Sequence, residues 1–146
     1  MNSIELKKIK IATILPYKED YSFIKASAVS LWVAEFFKNS KFNRNNIVYG
    51  STESKDFLTK NYININLKNL NSKLKSTTNE YAKKLIKEFN NKNFDIIEIH
   101  NRPLIFNYLK KEINSKYILY FHNDPLTMNG SKTSSERLNL LINLDK

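Results

Sequence analysis

Short apolar runs rich in β-branched residues recur along this chain, and stretches of helical periodicity lie between most of them. Ile9, Ile11, Ala12, Thr13, Ile14 and Leu15 form a nearly continuous run stopped by Pro16, which suits a central parallel strand buried on both faces. A polar loop over 17–25 leads into Ala28 to Phe37, where Val29, Trp32, Val33 and Phe36 fall on one helical stripe and predict a helix ending near Asn39. Ile47 to Gly50 reads as a second strand. Ile63, Ile65 and Leu67 alternate with Asn64 and Asn66 as a half-exposed third strand would.

Thr77 followed by Glu80 matches a capping box ahead of a helix carrying Ala82, Leu85, Ile86 and Phe89. Phe94 to Ile99 is then a strand, and Pro103 stands at the first position of a helix running through Ile105, Tyr108, Leu109 and Ile113. Tyr117 to Phe121 makes the next strand. Thr133 and Glu136 repeat the capping pattern before a last helix that begins with Leu138, Leu141 and Ile142.

Strand and helix in alternation predict an α/β, Rossmann-like, doubly wound fold: a mostly parallel sheet with helices on both faces and right-handed crossovers. At 146 residues this is one domain, spanning 1–146, large enough to bury roughly two-thirds of its unfolded surface. The last helix has no strand to return to. The expectation is that the polypeptide continues and that this chain is an N-terminal piece of it.

Composition removes several classes of function. There is no cysteine, hence no disulfide, thiolate metal site or cysteine nucleophile. No apolar stretch approaches the roughly 20 residues of a membrane span, and Glu5, Lys7, Lys8 and Lys10 break up the N-terminus, unlike a signal peptide. The expected location is cytoplasmic, at most peripheral to the inner face of a membrane.

A net charge of +10 invites a nucleic-acid reading, but of 24 basic residues only Arg44, Arg102 and Arg137 are arginine, the side chain best matched to phosphate and guanine edges. No nucleic-acid partner is expected. The excess of lysine reads as coding bias or, alternatively, as long-range attraction to an anionic membrane surface through Lys7, Lys8, Lys38, Lys41, Lys110 and Lys111.

The motif that carries most is a pair. His100-Asn101-Arg102-Pro103 recurs with one substitution as His122-Asn123-Asp124-Pro125, each copy directly after an apolar run, and these are the only histidines. In an open parallel sheet ligands bind outside the carboxyl ends of the strands, so both histidines are expected on one rim, outside the core. An imidazole can donate to a sugar hydroxyl or a phosphate, and Asn101 and Asn123 can donate and accept together. Either histidine can equally be a structural group bonded to a neighbouring loop.

Asp124 can orient a hydroxyl or act as a base, or simply form the turn that Asn-Asp-Pro favours. Arg102 can pair with a phosphate or carboxylate, or lie solvated at a helix start. Lys25, Ala26 and Ser27 are placed to form the N-terminus of the first helix, where free amides can hold a phosphate or Ser27 can serve as an ordinary cap. With only Gly50 and Gly130 in the chain there is no G-x-G-x-x-G. A two-histidine metal site lacks a third ligand, and no serine stands in a nucleophile elbow.

The order of Ile14-Leu15-Pro16, a loop, Ala26-Ser27-Ala28-Val29-Ser30-Leu31-Trp32-Val33, then Phe94 to Asn101 and Tyr120-Phe121-His122-Asn123-Asp124-Pro125 resembles the N-terminal half of family 4 glycosyltransferases, the retaining GT-B enzymes that build lipopolysaccharide and capsule. The resemblance covers essentially the whole chain. It implies an acceptor-side domain, with a second Rossmann-like domain, absent from this chain, binding the nucleotide sugar and carrying a pair of glutamates. Sugar would be transferred in the cleft between them to a glycan or lipid-linked acceptor, with no metal and no cofactor beyond the donor substrate.

Carried over by position, the resemblance puts Lys25, Ala26 and Ser27 at the donor diphosphate, makes His122 the catalytic histidine beside the transferred sugar, and sets His100, Asn101, Arg102, Asn123 and Asp124 toward the acceptor. The family's first loop usually contains glycines and this one has none. The rival expectation is a stand-alone flavodoxin-like binding or regulatory module without chemistry.

Overall fold

A computed structural model describes residues 8–67 and 76–144. Five strands, β1 (Ile11–Ile14), β2 (Asn46–Gly50), β3 (Tyr62–Asn64), β4 (Ile96–His100) and β5 (Lys116–Tyr120), form one sheet in the order β3-β2-β1-β4-β5. Every pairing is parallel. Four helices connect or follow them: α1 (Ala28–Asn39), α2 (Thr77–Phe89), α3 (Pro103–Glu112) and α4 (Ser134–Leu144). The fold is therefore the Rossmann-like α/β sandwich that the alternation predicts.

The two faces of the sheet are packed separately. Ala12 and Ile14 of β1 and Ile97 and Ile99 of β4 meet Leu85 and Phe89 of α2 and Ile105, Phe106 and Leu109 of α3. On the opposite face Leu15 and Val48 meet Val29, Val33 and Phe37 of α1. β1 is buried along its whole length, as its unbroken apolar run requires.

Helix ends follow local chemistry. Ser27 caps α1, its hydroxyl accepting from the Ser30 amide at 3.1 Å. At α4 the capping box is reciprocal: the Glu136 amide donates to Thr133 Oγ1 at 3.2 Å, and the Thr133 amide to Glu136 Oε2 at 2.9 Å. At α2 the cap is Ser76 rather than Thr77, one residue earlier than the capping-box spacing predicts. Pro103 does occupy the first turn of α3.

Two apolar patterns and one histidine land differently from expectation. The buried stripe of α1 runs through Val29, Ser30, Val33, Ala34 and Phe37, while Trp32 and Phe36 are 43% and 49% exposed and stack on each other with ring centres 5.3 Å apart. The reason is that α1 is the only helix over this face among the described residues; beyond it the β5 side, with Ile118 38% exposed, has no helix over it. In α4 it is Leu140 that faces the core, and Leu138, Leu141 and Ile142 face outward. His100, expected outside the core, is buried to 1% exposure.

Polar groups also lie inside. The Thr13 hydroxyl, with one proton, sits 3.0 Å from Asn46 Oδ1 and 2.8 Å from Glu98 Oε2. A protonated Glu98 would donate to Thr13 and free the hydroxyl proton for Asn46, satisfying all three groups; burial pushes the Glu98 carboxyl up and so favours that state.

Candidate functional site

The strand order reverses between β1 and β4, so the segments leaving their carboxyl ends diverge and open a crevice, the usual ligand position in such sheets. A cavity of about 260 Å³ lies there. Tyr17 follows β1, Asn101 and Arg102 follow β4, Thr78 comes from the first turn of α2, and Thr127, Asn129 and Lys132 come from the loop between β5 and α4. No carboxylate lines it among the described residues.

Asn101 organises this rim. It is 2% exposed and adopts φ 52°, the left-handed conformation that asparagine tolerates better than most side chains. Its amide donates to the Tyr120 carbonyl at 2.8 Å, and its Oδ1 accepts from the His122 amide at 2.7 Å. One residue thus ties the ends of β4 and β5 together, leaving its Nδ2 donor without a partner among the described residues.

Arg102 turns back, its Nη1 donating to the Asn101 carbonyl at 2.8 Å while its guanidinium lies 5.2 Å from the centre of the Tyr17 ring. The β5–α4 loop is held against the start of α3 at Gly130, at φ +95°, where a Cβ would stand 3.0 Å from the Leu104 amide nitrogen and side chain. Only glycine lets the loop close this tightly over the start of α3.

The two histidines meet, His100 Nδ1 lying 2.8 Å from His122 Nε2. His100 is stacked on Tyr120, and the Trp32 ring lies 5.9 Å from His100 and 5.1 Å from His122. Burial, with His122 adding to it, pushes His100 down to about 3, so it is neutral near pH 7. Burial also lowers His122, opposed by Glu19.

One proton lies between the rings, and His100 Nε2 is buried without a partner. A buried N–H left unpaired is rarer than an unpaired acceptor, so the favoured arrangement has His100 Nδ1–H donating to His122 Nε2. His122, half-buried, then offers Nδ1–H outward as a donor.

The remaining expected site residues separate. Asn101 and Arg102 line the switch-point cavity, whereas His100 and His122 pack toward Trp32 of α1 and do not line it. Asn123 is exposed, and Asp124 caps the short 3-10 turn Pro125–Thr127, its Oδ1 accepting from the Leu126 amide at 2.9 Å. Lys25 is exposed, Ala26 half-buried, and Ser27 is occupied as a cap. Of the basic residues expected to attract a membrane surface, Lys7 lies outside the described residues.

Sequence reasoning missed Tyr17, Thr78 and Lys132. Nothing distinguishes Lys132 among so many lysines, but Gly130, one of only two glycines, marked the loop that brings it in. Among the described residues no three His, Cys, Asp or Glu side chains converge as metal ligands, and no helix is long and apolar enough to cross a membrane. Set beside protein-family models, curated proteins and solved structures, the chain matches none of them. Its class is the one that fold and rim define, a doubly wound parallel α/β domain with a polar crevice at its switch point.

Proposed function

We propose that this chain is the acceptor-side domain of a retaining glycosyltransferase that moves a sugar from a nucleotide sugar to a cell-envelope glycan or lipid-linked acceptor. The observation that carries the reading is the switch-point cavity, whose walls hold a tyrosine ring, hydroxyls and amides, the groups that hydrogen-bond and stack on sugars. The resemblance of the strand-end segments to family 4 enzymes points the same way. In this reading a second Rossmann-like domain supplies the nucleotide-sugar site, and the cleft between the two excludes water while fixed polar groups stabilise charge on the leaving diphosphate.

His122 would hold the transferred sugar through its outward Nδ1–H, with His100 a positioning residue that fixes the ring. Lys25 and the start of α1 would face the donor diphosphate, and Asn101 and Arg102 the acceptor. The domain would work in the cytoplasm at the inner membrane face, where its basic charge favours anionic lipid.

The test has two arms. Titrated calorimetrically with a nucleotide sugar, the chain alone is expected to show no low-micromolar dissociation constant; one of about −8 kcal/mol would contradict a donor site on another domain. In an enzyme carrying both halves, His122→Ala is expected to lower turnover more than His100→Ala, because the first removes the sugar contact and the second only loosens it. Unchanged turnover in a His122→Ala protein of reduced stability would make His122 a structural residue.

A further inference from the structure

We propose that the switch-point cavity is a phosphoryl site: it holds a phosphate group carried by the ligand, gripped by Arg102 and Lys132 with the Asn101 amide as a further donor. As a statement about the acceptor this rests on the glycosyltransferase reading, but as a statement about phosphate binding it stands apart from it.

The charge of this cavity favours an anion. Arg102 and Lys132 bring two cations to a cavity that no carboxylate lines among the described residues. Arg102 uses Nη1 on a backbone carbonyl and lies against Tyr17, and neither contact neutralises it. The Lys132 ammonium has no hydrogen-bond or ion-pair partner among the described residues. A site built to bind a neutral sugar alone would gain nothing from two uncompensated cations, whereas a phosphomonoester carries close to two negative charges at neutral pH.

The cavity also offers a side-chain donor that the fold does not use. Asn101 is 2% exposed and lines this cavity, its Oδ1 is committed to the His122 amide, and its Nδ2 has no partner. The same residue is held in the left-handed region, and such strain concentrates where a ligand is gripped.

The source of the phosphate separates into a soluble phosphorylated sugar and a lipid headgroup, which share this chemistry. The test titrates the 146-residue chain calorimetrically with inorganic phosphate and glucose 6-phosphate, and by sedimentation with vesicles containing phosphatidic acid. Saturable one-to-one binding of inorganic phosphate is expected, weakened about tenfold or more in Lys132→Gln. Lys132 is exposed and its side chain supports nothing else in the fold, so that variant stays folded; Arg102→Gln serves as the second.

Tighter binding of glucose 6-phosphate than of phosphate identifies a soluble ligand. Vesicle binding that falls in Lys132→Gln at moderate salt identifies a headgroup. Equal affinity in wild type and both variants, or no saturable phosphate binding, overturns the proposal. Binding of a neutral oligosaccharide at this cavity with none of phosphate would leave the acceptor reading standing and remove the phosphoryl site, and phosphate binding with no gain from either the sugar or the vesicle headgroup would do the reverse.

Discussion

His100 and His122 share one proton in a setting where only one of them meets water. Folding holds His100 neutral down to about 3, against 6.5 in the unfolded chain. The unfolded chain therefore takes up its proton first as pH falls. The contribution of this group to stability is complete above pH 6.5 and is lost progressively toward pH 3, amounting to about 2 kcal/mol by pH 5. Glu98 acts in the opposite sense, because its raised carboxyl weakens the fold most at high pH. Chemical denaturation of wild type and His100→Asn between pH 7 and pH 5 separates the two: Asn keeps a donor near Nδ1 and cannot titrate, so the variant is expected to lose clearly less stability over that range. Equal losses would remove His100 as the titrating group.

At the scale of elements, the placement of caps makes a sharper test than the existence of helices. Ser76, and not Thr77, accepts from the Asn79 amide in the first turn of α2, so Ser76→Ala is expected to cost about 1 kcal/mol and Thr77→Ala distinctly less, read from denaturant midpoints. Gly130 is the other element-level commitment. Its φ and its contact with Leu104 predict that Gly130→Ala costs more than about 1 kcal/mol and pushes the β5–α4 loop off the start of α3. Phosphate affinity would fall with it, since Lys132 rides on that loop; a fully stable Gly130→Ala protein would show that the loop does not need glycine.

The elements themselves were legible because each carries its own period. The apolar run of β1, the Pro103 start of α3 and the Thr133–Glu136 box depend on residues within a few positions of one another, and the structure reproduces them. What sequence could not reveal depends on distant neighbours. Trp32 reads as a buried helical position, yet whether it is covered is decided by what packs beyond β5. His100 reads as a rim residue, yet Trp32 and Tyr120 close over it. The repeated tetrapeptide correctly indicated one shared edge, but its two copies diverge in use. Asn101 ties two strand ends together, and Asn123 stands in solvent.

For the whole molecule, the all-parallel order β3-β2-β1-β4-β5 opens a switch-point crevice and collects there side chains from the segments that leave β1, β4 and β5. In the proposed function this crevice receives the acceptor, not the donor. Amide shift mapping by NMR on the 146-residue chain, titrated in parallel with glucose 6-phosphate and with a nucleotide sugar, tests it most directly. Saturable shifts are expected at Asn101, Arg102, Leu104, Asn129 and Lys132 with the sugar phosphate and only weak, non-saturating shifts with the nucleotide sugar. Tight nucleotide-sugar binding at those residues, or sugar-phosphate shifts confined to the β3 edge of the sheet, would contradict it.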